Sequence, residues 1–340
     1  MTSKISKEIR LKNRPEGLPA KSDFELAEVT IPAINQGQIL VQNMYMSVDP
    51  YMRGRMYDRK SYLPPFQIGQ PLEGFCVGQV VESKNEGFSV GDYVLSMLGW
   101  REYFVSGGDG LTKIDPGLAP VQAYLGAVGM TGLTAYVGLL HIGKLKEGQT
   151  VFVSAAAGAV GSMVCQIAKL KGCYVVGSAG SDEKVAWLVE EAGIDAAFNY
   201  KTTEDVIAEV GRHFPKGIDV YFENVGGVHL EAAFEHMNPY GRIVMCGVIS
   251  QYNAVKPVPG PARLPYIISK KLTVKGFIVM DHFDKLEQFY KDMGKWLTEG
   301  KIKWKETIID GIENAPEAFI GLFKGENIGK MIVKLLRPEK

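Results

Sequence analysis

The chain has 340 residues, of which 46% are apolar, and its 38 Lys and Arg balance 38 Asp and Glu. This length suits two domains, and the balanced charge argues against a nucleic-acid partner, which needs clustered Lys and Arg. No apolar run approaches the roughly 20 residues that span a bilayer, and the N-terminal sequence lacks the apolar core of a signal peptide, so we expect neither a membrane segment nor export.

Short apolar runs interrupted by Gly and Pro fill residues 22–110. The segments GQILVQNMYMSVD, GFCVGQVVES, GDYVLSML and WREYFVS have the composition of strands separated by turns. This part of the chain therefore predicts an all-β domain, in the form of a small barrel.

The pattern changes near residue 120, where helical apolar spacing begins. Strand and helix patterns then alternate, which predicts βαβ units and a parallel sheet. The predicted strands are Thr150–Ser154, Tyr174–Gly177, Ala197–Tyr200, Ile218–Asn224, Gly241–Cys246 and Leu272–Phe277, and helices are predicted to begin near Val160, Asp182, Thr203, Val228, Pro261 and His282. The C-terminal ENAPEAFIGLFKGENIGKMIVKLL predicts a helix, a Gly-rich turn and a strand that returns to the first domain.

Very small residues stand between a buried strand and a helix in VFVSAAAGAVGSMVCQIAK (151–169). Ala156, Gly158 and Gly161 fit the dinucleotide pattern G-x-G-x-x-G with Ala in the first position, and Ala159 and Val160 fall within the same phosphate loop. Gly158 would admit a pyrophosphate, Gly161 would let the helix pack closely, and the helix N-terminus would bind phosphate. Tight helix–sheet packing without a ligand is the alternative, but the strand–helix–strand context favours a dinucleotide.

The residue after the second strand indicates which dinucleotide binds. NAD sites usually carry an acidic residue about 20 residues beyond the motif, whereas this chain has Ser178 there. Lys184 could pair with a 2′-phosphate and Tyr200 could add a hydroxyl donor. Each residue alone is better explained as a solvated lysine or a strand-end aromatic, but together with Ser178 they predict NADP(H).

A metal site is not indicated. The five histidines and four cysteines lack the spacing of zinc ligands, and the cysteines form no C-x-x-C pair. We therefore predict no zinc or other metal, and reduced thiols in a cytoplasmic protein. Without a Lewis acid, hydride addition to an activated double bond is favoured over interconversion of alcohols and ketones.

Five segments together resemble the zinc-independent medium-chain dehydrogenases/reductases, most closely the prostaglandin reductase (leukotriene B4 dehydrogenase) and bacterial NADPH-dependent curcumin reductase family. They are SVDPYMRGRM (47–56), MTGLTAYVGLL (130–140), AAAGAVGS (155–162), KGIDVYFENVGG (216–227) and GENIGKMIV (325–333). The resemblance implies an α/β fold: a GroES-like β-barrel catalytic domain of residues 1–128, completed by 299–340, and a doubly wound Rossmann NADP(H)-binding domain of residues 129–298. Zinc-dependent relatives carry Gly-His-Glu at 71–73 and a ligand Cys at Asp49, and both departures also argue against zinc.

The resemblance further implies NADPH-dependent reduction of the C=C bond of small enones and enals, usually by a homodimer. Hydride would add to the β-carbon while Tyr252 stabilises the enolate, although a surface-loop tyrosine is the alternative for that residue. Tyr51 and Tyr62 match aromatic positions lining the cleft. The implied cofactor contacts, besides the motif residues, are Met130, Thr134, Asn224, Gly247, Ile249, Phe277, Val279 and Asn327. A quinone reductase or a 15-hydroxy-eicosanoid-type dehydrogenase on the same fold, and a non-catalytic NADPH-binding protein, remain the other possible functions.

Overall fold

The computed structural model describes residues 5–335. Residues 1–4 and 336–340, the outer ends of the predicted catalytic domain, lie outside the described residues. The chain divides into two units, one comprising residues up to 126 together with those from 306 onward, and the other residues 127–305. Within the described part of the chain, no helix is both long enough and apolar enough to cross a membrane.

Antiparallel strands dominate the N-terminal segment of the first unit, as its apolar runs and turns predict. Strands β1 and β2 pair with each other, while β3 pairs with β4 and β6, β4 with β5, and β5 with β7. The elements are β1 (Ile5–Leu11), β2 (Phe24–Thr30), β3 (Ile39–Ser47), α1 (Met52–Arg55), β4 (Cys76–Ser83), β5 (Tyr93–Ser96), β6 (Tyr103–Ser106) and β7 (Thr112–Lys113).

The second unit is a doubly wound parallel sheet, in agreement with the predicted alternation. Its elements are α2 (Met130–Tyr136), β8 (Thr150–Val153), α3 (Ala159–Leu170), β9 (Tyr174–Ala179), α4 (Asp182–Glu190), β10 (Ala196–Asn199), α5 (Val206–His213), β11 (Ile218–Glu223), α6 (Val228–His236), β12 (Met237–Met245), α7 (Pro265–Ser269), β13 (Thr273–Gly276) and α8 (Leu286–Thr298). The strand order is β10-β9-β8-β11-β12-β13. Because the winding reverses between β8 and β11, the carboxyl ends of these strands form the crevice in which such sheets bind ligands.

The C-terminal segment returns to the first unit. The predicted helix, turn and strand are present as α9 (Ala315–Lys324) and β15 (Lys330–Lys334), and β15 pairs with β3. An additional strand, β14 (Glu306–Asp310), pairs in parallel with β15. The sequence did not predict β14, because a five-residue strand without a fully buried position carries little apolar pattern.

A buried ion pair connects the returning segment to the end of β3. The ammonium group of Lys330 donates to Asp49 Oδ1 at 2.9 Å, to the Val48 carbonyl at 2.9 Å and to the Met331 carbonyl at 3.1 Å. Lys330 is 4% exposed. A buried charge is tolerated when its donors are satisfied in this way, so the pair fixes where Asp49 lies relative to β15.

Helix and strand boundaries differ locally from the expectations. Strand β12 begins at Met237, four residues before the predicted Gly241, because Met237 already pairs with Ile218 before Tyr240 adopts a φ of 65°. Helix α5 begins at Val206 because the Asp205 side chain caps it by accepting from Ile207 N and Ala208 N. The apolar stretch after residue 120 forms a 3-10 turn over 121–125, then α2, then a π-helical turn over 137–142.

Candidate active site

The phosphate loop predicted from the small residues links β8 to α3. Ala155 adopts a left-handed φ of 48°, and the N–H of Ala156 donates to the Ser178 carbonyl of β9 at 2.9 Å. Gly158 precedes the first turn of α3, and no side chain caps that turn. The first N–H groups of α3 therefore offer a positive end to an anion, as a dinucleotide loop requires.

Two different constraints explain the small residues of this loop. A Cβ on Gly161 would lie 2.3 Å from the Ala155 carbonyl oxygen, and one on Gly177 would lie 2.5 Å from the Ala156 Cβ. These positions must be small because the backbone packs on itself. A Cβ on Gly158 would meet only the Ala155 carbonyl oxygen, at 3.2 Å, so internal packing explains this glycine least.

A basic corner lies where β9 and β10 end. The Tyr200 hydroxyl and the Lys201 Cε lie 3.1 and 3.2 Å from the position that a Cβ on Gly180 would take. Burial, and then the charge of Lys201, lower the pKa of Lys184. The Tyr200 hydroxyl and the Lys201 side chain thus meet at Gly180, and the Lys184 ammonium is close enough to interact with the charge of Lys201, an arrangement that a bound anion would stabilise.

Lys201 was missed by sequence reasoning. Its signal was available, since it directly follows Tyr200 at a strand end, but a single lysine at a surface turn is most often solvated. Ser178, the residue that suggested NADP(H), lies fully buried in β9. It supports the phosphate loop through its carbonyl, while the basic groups stand nearer the surface.

The Tyr200 ring rests against a buried histidine of α6. The rings of Tyr200 and His229 meet edge-to-face, with centroids 5.0 Å apart. Burial lowers the pKa of His229 to about 4, so the imidazole is neutral at pH 7. His229 therefore packs the ring of Tyr200 without adding a third positive charge to the basic corner.

A second group of predicted residues meets where β11 and β12 end. Asn224 donates from Nδ2 to the Ser154 carbonyl at 2.7 Å, and its own carbonyl accepts from Ile249 N at 3.1 Å. The Tyr252 hydroxyl accepts from Val248 N at 3.3 Å and lies 3.0 Å from the position of a Cβ on Gly247. Burial raises the pKa of Tyr252, which keeps the phenol protonated at neutral pH.

The remaining predicted residues of this unit flank the sheet. The Thr134 hydroxyl donates to the Met130 carbonyl at 2.7 Å, so it bonds within its own helix. Phe277 packs against the π-helical turn, because a Cβ on Gly138 would lie 2.7 Å from the Phe277 ring. Val279 begins a 3-10 segment that runs to Lys285.

Three predicted residues belong to the first unit. The hydroxyl of Tyr51 is buried, and burial followed by the charge of Asp49 raises its pKa. Tyr62 is 52% exposed, and Asn327 donates from Nδ2 to the Gly329 carbonyl at 2.7 Å. Over residues 5–335, the structure contains no group of three or more His, Cys, Asp or Glu side chains placed to hold a metal ion.

Comparison with known proteins agrees with this geometry. Residues 7–114 match the N-terminal domain of oxidoreductases, and residues 159–299 match the zinc-binding dehydrogenase model. The NADPH-dependent curcumin reductase of Escherichia coli is 44% identical over 96% of this chain and 95% of its own length. The 2-alkenal reductase (NADP(+)-dependent) of Nicotiana tabacum is 44% identical over 99% of this chain and 100% of its own.

A solved structure shares the whole architecture. The crystal structure of CurA in complex with NADPH from Vibrio vulnificus is 43% identical, covers 98% of this chain and 100% of its own, and has a TM-score of 0.92. Fold and site together define a dinucleotide-dependent oxidoreductase. The chain belongs to the medium-chain dehydrogenase/reductase family, among its NADP-dependent reductases, and both the resemblance and the fold class drawn from the sequence are confirmed.

The neutral His229 predicts a specific acid sensitivity. Its pKa is about 4 in the folded protein and near 6.5 when unfolded. As the pH falls from 7 to 5, the unfolded state takes up a proton that the folded state does not, so stability is lost. Between pH 7 and pH 5 the wild-type protein should lose about 2 kcal/mol of unfolding free energy through His229, and His229→Phe should not show this loss. The measurement is urea unfolding of both proteins at both pH values. An unchanged pH dependence in the variant would contradict the assignment.

Proposed function

We propose that this protein is an NADPH-dependent reductase of the carbon–carbon double bond of α,β-unsaturated ketones and aldehydes. The observation that carries the proposal is that the carboxyl ends of the strands in one sheet present both a basic corner (Gly180, Lys184, Tyr200, Lys201) and a half-buried, protonated Tyr252. The relatives named 2-alkenal reductase and curcumin reductase support this substrate class.

The cofactor residues divide into two groups along that edge. The N-terminus of α3 with Gly158, Ala159 and Val160 would bind the pyrophosphate, and the basic corner would bind the 2′-phosphate. At the other end, the proposed contacts around the nicotinamide are Met130, Thr134, Asn224, Gly247, Ile249, Phe277 and Val279, with Asn327 from the first unit. When bound, NADPH supplies the hydride that reduces the β-carbon of the substrate.

Tyr252 is the proposed catalytic residue. As the β-carbon is reduced, negative charge develops on the carbonyl oxygen, and a phenol O–H placed there stabilises the resulting enolate. The bond that Tyr252 Oη accepts from Val248 N polarises the hydroxyl and strengthens it as a donor. Tyr51 and Tyr62 are proposed to line the substrate pocket.

We further propose that the enzyme acts without zinc, as a cytoplasmic protein. Where zinc-dependent relatives carry a Cys and a His, this chain has Asp49 and Leu72. Lys330 pairs with Asp49 at 2.9 Å, and Arg55 pairs with Glu73, next to Leu72, at 2.6 Å. A positive side chain beside each carboxylate already neutralises the charge that a cation would require.

The free edge of β13 supports a homodimer. All four residues of β13 are exposed at the end of the sheet, where Val274 is 39% exposed, and the nearby α7 carries Ile268, which is 82% exposed. An unprotected edge strand with apolar side chains is a template for pairing with a second strand. A second copy of this chain would cover both features.

The basic corner predicts the cofactor preference. Replacing Lys184 or Lys201 with Met should each raise KM for NADPH about 10-fold, since a charge-assisted bond is worth about 1.5 kcal/mol or more, and should leave KM for NADH nearly unchanged. The measurement is initial-rate kinetics with both cofactors. Lys216→Met, at an exposed turn before β11, is the control. Equal losses with NADPH and NADH would argue against a 2′-phosphate contact.

The role of Tyr252 predicts a turnover defect. Tyr252→Phe should lower kcat for a simple enone such as 3-nonen-2-one by about 100-fold, because one donor to the developing oxyanion is lost, while NADPH affinity stays within a factor of two. Tyr240→Phe, at a 67% exposed tyrosine, should retain full turnover. Wild-type kcat in Tyr252→Phe on several enones would remove Tyr252 from the mechanism.

The edge strand predicts the oligomeric state. The unmodified protein should sediment as a dimer, and the double variant Val274→Lys/Ile268→Lys should sediment as a monomer, because buried unpaired ammonium groups oppose the contact. The matched control is a lysine at an exposed apolar residue of the first unit, Val90→Lys, where the side chain is 65% exposed. A dimer that survives the double variant would place the interface elsewhere.

A further inference from the structure

Glu223 is a fully buried carboxylate at the carboxyl end of the central strand β11. Its Oε1 accepts three hydrogen bonds, from Ser154 Oγ at 3.0 Å, from Val225 N at 2.6 Å and from Gly226 N at 2.8 Å. Ser154 is the residue that directly follows β8. The carboxylate therefore joins the ends of two neighbouring strands to the turn that follows β11.

That turn carries the segment on which Tyr252 lies. The Glu223 carbonyl accepts from Cys246 N and Gly247 N, both at 3.0 Å. The next two carbonyls, of Asn224 and Val225, accept from Ile249 N and Ser250 N, both at 3.1 Å. Three successive carbonyls thus hold residues 246–250, and the same segment supplies Val248 N to the Tyr252 hydroxyl.

The turn needs a side chain to hold it in this shape. Gly226 and Gly227 adopt left-handed φ values of 79° and 56°, and glycine backbones lose more conformational entropy on ordering than other residues. Without the carboxylate, the N–H groups of Val225 and Gly226 would lose their acceptor. Glu223 supplies that acceptor, and so fixes the direction in which the three carbonyls point.

We propose that Glu223 is a positioning residue that acts through Tyr252, by holding the 224–226 turn on which the Tyr252 segment is hydrogen-bonded. This inference rests on the proposed function, in which Tyr252 donates to the substrate carbonyl. Sequence reasoning singled out Asn224 in the same motif and overlooked the acidic residue before it.

The hydrogen bonds of the turn also affect whether the Glu223 side chain is charged. Burial raises the pKa of Glu223, while the N–H groups of Gly226 and Val225 oppose that rise and favour the ionised form. Burial is the main cause of the raised pKa of Tyr252, and the Glu223 charge adds to it.

The test is a double-mutant cycle on the rate of hydride transfer. Glu223→Gln keeps the size of the side chain but weakens its acceptor. Ser154→Ala removes one of the three donors to Glu223 and also the acceptor of Asn224 N, which Ser154 Oγ holds at 2.9 Å. Single-turnover oxidation of NADPH by 3-nonen-2-one should slow about 10-fold in Glu223→Gln and about 3-fold in Ser154→Ala, fractions of the loss expected from removing the phenol itself. NADPH affinity, measured by fluorescence, should change less than two-fold in both variants.

The decisive comparison uses the Tyr252→Phe background. If Glu223 acts through Tyr252, then Glu223→Gln should slow Tyr252→Phe by less than two-fold, because the group it positions is already gone. The same factor of 10 in both backgrounds would overturn the inference and leave the proposed function intact. Full turnover in Tyr252→Phe alone would overturn the proposed role of Tyr252 and this inference together.

Two controls exclude a loss of folding. Glu190→Gln changes an exposed glutamate at the end of α4 and should leave every rate unchanged. The thermal unfolding midpoint of each variant is measured beside its rate. If Glu223→Gln fails to fold, Ser154→Ala in the two backgrounds decides the question, with a three-fold effect expected only when Tyr252 is present.

Discussion

The close contact between Gly161 and the turn at Ala155 and Ala156 is the constraint on which the second unit depends. A Cβ at Gly161 would lie 2.3 Å from one backbone atom of the turn and 2.9 Å from another, so the contact exists only with glycine there. It sets the direction in which α3 leaves β8. The same turn bonds to the Ser178 carbonyl, which ties the helix direction to β9. The anion-binding end of α3 thus lies at the strand ends because of a packing contact, before any ligand is considered.

This contact explains why one short motif admits two interpretations. Close packing alone explains why glycine is needed at Gly161 and at Gly177, which faces Ala156. Gly158 has only one close neighbour, so packing alone does not explain it. The two ends of the motif are therefore fixed by packing, and its middle is the part proposed to admit the pyrophosphate. Close packing and ligand binding are compatible here, because a helix must approach the sheet closely before its N-terminus can reach a pyrophosphate.

The alternating half of the fold was predictable because its central strands β8, β9 and β11 are largely buried, so their apolar runs are strong and stand between helical patterns. Strand β14 was not, since its five residues include none that is fully buried. The residues missed at the site, Lys201 and Glu223, share a different reason. Each is a charged residue next in sequence to a predicted cofactor contact, Tyr200 or Asn224. Only the folded structure shows that Lys201 faces Gly180 and that Glu223 bonds to Ser154. Chain proximity carries no information about such contacts across strands.

The two charged groups differ in sign and lie at different strand ends of one sheet. Lys184 and Lys201 stand after β9 and β10, whereas the Glu223 carboxylate lies buried at the end of β11, nearer to Tyr252. NADP(H) carries its 2′-phosphate at the adenosine end and its pyrophosphate in the middle, so in the proposed function the 2′-phosphate meets the lysines and the nicotinamide end lies nearer to Glu223. Because Coulomb interactions inside a shielded crevice are much stronger than in water, this polarity favours a single orientation of the cofactor. In the proposed function, the Glu223 carboxylate would therefore both hold the Tyr252 segment through its hydrogen bonds and disfavour a phosphate at the nicotinamide end of the cofactor.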